Sequence, residues 1–121
     1  MKDVFCKIID GELESKKCYE DEFVIAIMDL NPDSPGHTLI IPKNHFEDIM
    51  KMDMEMLARI YKVSKKIATK MMEVFPNIDG VIQVVNYGKP QIIKHYHMHL
   101  IPTYKKEVNM TQEEACNLLK K

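Results

Sequence analysis

Arginine is almost missing from this chain. Seventeen of the 121 residues are Lys or Arg, yet only Arg59 is an arginine. A phosphate site built on guanidinium forks is therefore excluded. An anion would have to be held by backbone N–H groups, His, Asn or Gln. Excess charge is missing too: the net charge is -1, so no strong field draws the chain to nucleic acid or to anionic lipid. No apolar run approaches the roughly 20 residues of a membrane helix. Cys6, Cys18 and Cys116 form no CxxC pair and make an odd count. That argues against a disulfide framework and fits a reducing, cytoplasmic setting. Asp3, Lys7 and Asp10 interrupt the apolar residues of MKDVFCKIIDGELE, which predicts no signal peptide.

What is present suits a single domain over residues 1–121 that buries its own core without staples. Val4 to Ile9 is a short apolar patch of one or two helical turns. FVIAIMDL (Phe23–Leu30) reads as a buried strand, NPDSPG as a turn, and HTLIIP (His37–Pro42) as the returning strand of an antiparallel hairpin. From Asp53 to Phe75 apolar residues recur at three and four positions, with the lysines largely off that stripe. This spacing predicts an amphipathic helix capped by Asp53 and stopped by Pro76. GVIQVVN (Gly80–Asn86) is a further strand, YGKPQ a turn, and IIKHYHMHLIP the next strand. Thr111 through Lys120 predicts a last helix, with Thr111 and Glu114 as a capping box. The order implies α+β: a mainly antiparallel sheet covered by helix on one face.

Three of the five histidines alternate within HYHMHLIP. In a strand, His95, His97 and His99 share one face, and Tyr96, Met98 and Leu100 take the other, beneath the helix. An H-x-H pair can converge on a metal ion with a third ligand from elsewhere, which leaves a metal-dependent enzyme open. A neutral imidazole is also a good nucleophile near pH 7, provided one nitrogen is free and the other is protonated and held. A backbone carbonyl of the same strand can hold it, and a neighbouring imidazole can contact phosphate oxygens or protonate a leaving group.

HYHMHLI fits the pattern His-φ-His-φ-His-φ-φ, φ being apolar, and resembles the histidine triad (HIT) family of nucleotide hydrolases and transferases. FCKIIDGELESKKCYEDEFVIAIMDLNPDSPGHTLIIPKNHFEDI is similar to that family's N-terminal half and NYGKPQIIKHYHMHLIP to its C-terminal segment. The resemblance implies a HIT-like fold, one long helix on an antiparallel sheet with short flanking helices. It implies a hydrolase or transferase acting at the α-phosphate of purine nucleotides, phosphoramidates or dinucleoside polyphosphates. His97 would form a covalent nucleotidyl-histidine. His99 would contact the scissile phosphate and help the leaving group, His95 would orient its neighbours, and His45 would support His95. Asp29 would take the ribose hydroxyls, and Phe5, Ile8, Ile27 and Leu30 would form the base slot. Asn86 would lie near the ribose and phosphate, and Gln91 would donate to the phosphate. His37, in the matching GHTL, reads at least as readily as a strand-start histidine with a satisfied hydrogen bond.

The chain departs from the pattern at NYGKPQ, which is shorter than the usual loop. Pro90 precedes Gln91, and Ile92 stands where many relatives carry a small hydroxyl residue. That departure keeps open a nucleotide-binding or sensor protein with little turnover. Some relatives hold a structural zinc with a Cys-x-x-Cys plus histidines matching His45 and His95. Here Asp3 takes the first cysteine position and only Cys6 remains; Asp could ligate zinc, but the all-soft pair is lost, which argues against a structural zinc without closing it, so no cofactor is expected to be required and no residue is assigned as a metal ligand. The family's pairing through the long helix and a sheet edge implies a homodimer.

Overall fold

A computed structural model describes residues 2–121. Helix α1 (Val4–Ile9) precedes strands β1 (Lys17–Glu20), β2 (Val24–Met28) and β3 (Thr38–Pro42). A short 310 turn at Ile49–Lys51 leads into α2 (Met54–Val74), followed by β4 (Ile78–Val85), β5 (Met98–Tyr104) and α3 (Gln112–Lys120). The five strands form one antiparallel sheet in the order β1-β2-β3-β5-β4. No described helix is long and apolar enough to cross a membrane.

Every residue of β2 and β3 is buried, because the centre of the sheet is covered on both faces. One face meets α2: Val24, Ala26, Met28, Ile40, Met98 and Leu100 pack with Ile60, Val63, Ile67 and Met71. The other carries a smaller cluster of Ile25, Ile27, Leu39 and Ile41 under Phe5 and Ile8 of α1. Fully burying one such side chain contributes roughly 1.5–3 kcal/mol. The one polar group in the buried stripe of α2, Ser64, accepts a 2.6 Å hydrogen bond from Gln83 Nε2 of β4. It therefore does not carry the cost of an unpaired hydroxyl.

The ends of α2 follow local chemistry. Asp53 accepts from the Met56 N–H at 3.1 Å, which satisfies one of the free donors of the first turn. Thr111 and Glu114 form the capping box of α3. The hairpin between β2 and β3 turns at Gly36 (φ 90°), where an added Cβ would strike the Phe75 ring.

Beyond shifts of one or two residues at strand ends, two strand features differ from the sequence reading. Strand β1 was not anticipated; KCYE at the sheet edge has too little alternation to announce a strand. The strand expected through IIKHYHMHLIP begins only at Met98. The Tyr96 N–H donates to the Phe46 carbonyl at 2.7 Å, in the loop after β3, so this stretch leaves the ladder before reaching β5. The alternation survives: Tyr96, Met98 and Leu100 enter the α2-side core, and the three histidines take the other side.

Candidate functional site

A cavity of about 500 Å3 opens on the α1 side of the sheet. Phe5, Ile8, Ile27 and Leu39 form its buried apolar floor, and His97, His99, Asp29 and Asn86 supply its polar groups. Leu30 also lines it, but at the rim, 77% exposed. The expected base-slot residues thus meet at one cavity, three as floor and one as edge.

The hydrogen bonds decide which ring nitrogens carry protons. His97 Nδ1 lies 2.8 Å from the His95 carbonyl, which can only accept, so the proton sits on Nδ1 and the lone pair on Nε2. The Phe5 and His99 rings pack edge-on against this imidazole, each with its centroid 5.0 Å away. Burial, with the nearby His95, pulls the His97 pKa below the ordinary 6.5 despite the carbonyl bond. A neutral imidazole with a free nitrogen is the nucleophilic form.

His99 is set by a longer chain. The Asp33 N–H donates to His37 Nδ1 at 3.1 Å, so neutral His37 carries its proton on Nε2. That nitrogen lies 3.0 Å from His99 Nδ1 and 3.4 Å from Asp29 Oδ2. His99 Nδ1 then accepts, which puts its own proton on Nε2. Burial and the neighbouring His97 and His37 hold its pKa low as well. His37 is therefore more than a satisfied strand-start histidine: it fixes the tautomer of His99. Gln112, at the start of α3, braces the same corner. Its Nε2 donates to the Asp29 and His37 carbonyls at 2.9 Å each, and its Oε1 accepts from the Gly36 N–H at 2.7 Å. No local motif marks Gln112, whose partners lie 75 to 83 residues away.

Gln91 corrects the sequence reading. It does not line the cavity; it is buried, and its Nε2 donates to the Glu47 and Ile93 carbonyls at 2.7 and 2.9 Å. An amide nitrogen with both hydrogens committed has none left for a phosphate. The short loop, with Pro90 ahead of it, turns this side chain inward, where it pins the loop.

His95 and His45 stand behind the cavity, not in it. Fully buried His95 donates from Nε2 to the Pro42 carbonyl at 3.0 Å, leaving a lone pair on Nδ1. That lone pair faces Asp3 Oδ2 at 3.2 Å and Cys6 Sγ at 3.5 Å. His45 Nδ1 lies 3.2 Å from the same carboxylate oxygen and 3.6 Å from the same sulfur. All four ligand atoms fall within 4.8 Å of one another. A tetrahedron with Zn–N or Zn–O near 2.0 Å and Zn–S near 2.3 Å has edges of about 3.3 and 3.5 Å. The lone pair of His95 pointing at a carboxylate is also a pairing that a cation resolves. The residues fit a zinc-sized ion, with Asp3 filling the place of the missing cysteine. The sequence reading weighed these four positions by residue type alone; their convergence on one point is what the structure adds.

Comparison with known proteins identifies the family. The HIT domain pattern matches residues 10–106. A HIT-like protein of Borreliella burgdorferi is 42% identical over 107 residues, 86% of this chain and 77% of that protein. The adenylylsulfatase HINT3 of Arabidopsis thaliana is 38% identical over 101 residues, 82% of this chain and 51% of that protein. A zinc-bound histidine triad family protein from Mycobacterium smegmatis superposes with a TM-score of 0.89 at 33% identity, over 97% of this chain and 89% of that one. By this pattern match, these identities and the shared fold, the chain belongs to the HIT domain, or histidine triad, family.

Proposed function

We propose that the protein is a nucleotide hydrolase acting at an α-phosphorus through a covalent nucleotidyl-histidine on His97. The observation that carries this reading is the 2.8 Å bond from His97 Nδ1 to the His95 carbonyl, which leaves Nε2 free on the cavity side. Nε2 forms the bond to phosphorus as the bond to the leaving group breaks. The incoming phosphate anion favours the protonated form of the imidazole beside it, and His99 then supplies the proton the departing atom needs. Water releases the nucleoside monophosphate and frees His97. Asp29 accepts the ribose hydroxyls, Asn86 donates to the ribose or phosphate, and the apolar floor receives a purine.

No Lys or Arg lines the cavity. A single α-phosphate with an uncharged departing group, as in a nucleoside phosphoramidate, suits it better than the several charges of a dinucleoside polyphosphate. Asp3, Cys6, His45 and His95 would hold a structural zinc, which would cross-link α1 to the triad segment and take no part in the chemistry. A homodimer would cover Tyr61 and Met72 of α2 and Ile82 of the edge strand β4, all large, apolar and exposed.

The test is a quench of adenosine 5′-phosphoramidate turnover at neutral pH, followed by intact-protein mass spectrometry. An adenylyl adduct that His97→Asn abolishes is expected. Turnover by His97→Asn at the wild-type rate would sink the reading. The inward Gln91 favours a second reading, a nucleotide-binding module with little turnover. Tight nucleoside monophosphate binding without adduct or product would be its signature.

A further inference from the structure

Ile92 is 90% exposed, yet it does not sit on a loose tip. Gln91 ties its loop to the Glu47 and Ile93 carbonyls, and Lys94 Nζ donates to the Gly88 and Gln91 carbonyls at 2.9 and 2.7 Å. A large apolar side chain is thereby held in water at the mouth of the reactive cavity. Pro90 of the same loop and Val4 of α1, itself exposed, line that cavity with it. Fixed, exposed apolar surface beside a polar centre marks a binding edge.

Displacement at phosphorus is in line: the entering and departing atoms lie on opposite sides. His97 directly precedes β5, so it belongs to the sheet side of the cavity. The departing group then points outward, to the mouth. We infer that Ile92, with Pro90 and Val4, forms an apolar jaw that selects substrates whose departing amine carries an uncharged apolar substituent. The inference rests on the hydrolase reading above and adds to it the nature of the leaving group. Nothing cationic lines the mouth to receive a phosphate, a sulfonate or a second nucleotide. An alkyl or aryl amine would instead cover part of Ile92 and shed its own hydration.

The experiment compares kcat/KM for adenosine 5′-phosphoramidates of methylamine, n-butylamine and β-alanine, three amines of similar basicity. It uses the full-length wild type, Ile92→Val and Ile92→Ser. Each methylene taken from water is worth up to about fourfold, ~0.8 kcal/mol. Partial cover across three methylenes predicts a butyl-to-methyl ratio of about 10 or more in the wild type. Ile92→Ser should cut that ratio to about 3 or less, with Ile92→Val between. The β-alanine compound should trail both others. A wild-type ratio near one overturns the inference while amine release upholds the hydrolase reading. An unchanged ratio in Ile92→Ser also overturns it. So does a loss of dimer in Ile92→Ser by sedimentation with selectivity intact, which would make this edge a subunit contact. If no amine is released from any compound and no adduct forms, the hydrolase reading falls first and takes the jaw with it.

Discussion

The ring of His97 has two nitrogens, and only one keeps a free lone pair. The His95 carbonyl makes the choice by accepting a hydrogen bond from the other, Nδ1–H. Replacing His97 by Asn should lower kcat/KM for a phosphoramidate by at least about 10³-fold, the scale on which loss of a nucleophile is felt. Nucleoside monophosphate binding by calorimetry should persist. The buried rings also set a pH dependence. His97 and His99 have pKa values below 6.5 in the folded protein. The nucleophilic form therefore persists into mild acid, and the acid limb of kcat/KM should fall below pH 6.5. Stability has the opposite exposure to acid. The unfolded chain binds these protons more readily, so unfolding free energy should drop as pH falls through 6.5 toward the folded values, in denaturant titrations. The alternating histidines were legible in the sequence because strand-like backbone has a period of two. Proton placement was not, because it depends on partners such as His37, 62 residues from His99.

Among the elements, α2 was legible almost to the residue. Its stripe is long, its start is an Asp and its stop is a Pro, all local signals. Asp53→Ala should cost about 1 kcal/mol by removing the carboxylate that accepts from the Met56 N–H, read as a lower thermal midpoint with unchanged activity per folded molecule. The loop before the triad was less legible, because the same Gln can face a ligand or a carbonyl. Gln91→Leu separates these roles. If the side chain pins the loop, the variant loses about 1–3 kcal/mol in chemical denaturation, from two carbonyls left without their donor. A phosphate ligand would instead raise KM with stability intact. The start of β5 was misjudged because Tyr96 spends its N–H on Phe46, a pairing across 50 residues that no local pattern encodes.

Across the whole molecule, the segment before β1, the loop after β3 and the triad come together at Asp3, Cys6, His45 and His95. The resemblance named these four positions, but nothing local in the sequence shows that they converge: Asp3 and His95 are 92 residues apart. Free zinc at 100 times its dissociation constant should raise the unfolding free energy by about 2.7 kcal/mol, seen as a higher thermal midpoint that chelator reverses. Asp3→Ala should lose most of that response, and Asp3→Cys should keep it. His95 gives the meeting a reach beyond stability. Its imidazole belongs to this cluster while its peptide oxygen steadies His97, so one amino acid serves as hinge pin between anchorage and reactivity. Prising the first helix away would leave the cavity's β-strand side standing, yet the free nitrogen of His97 would lose its aim.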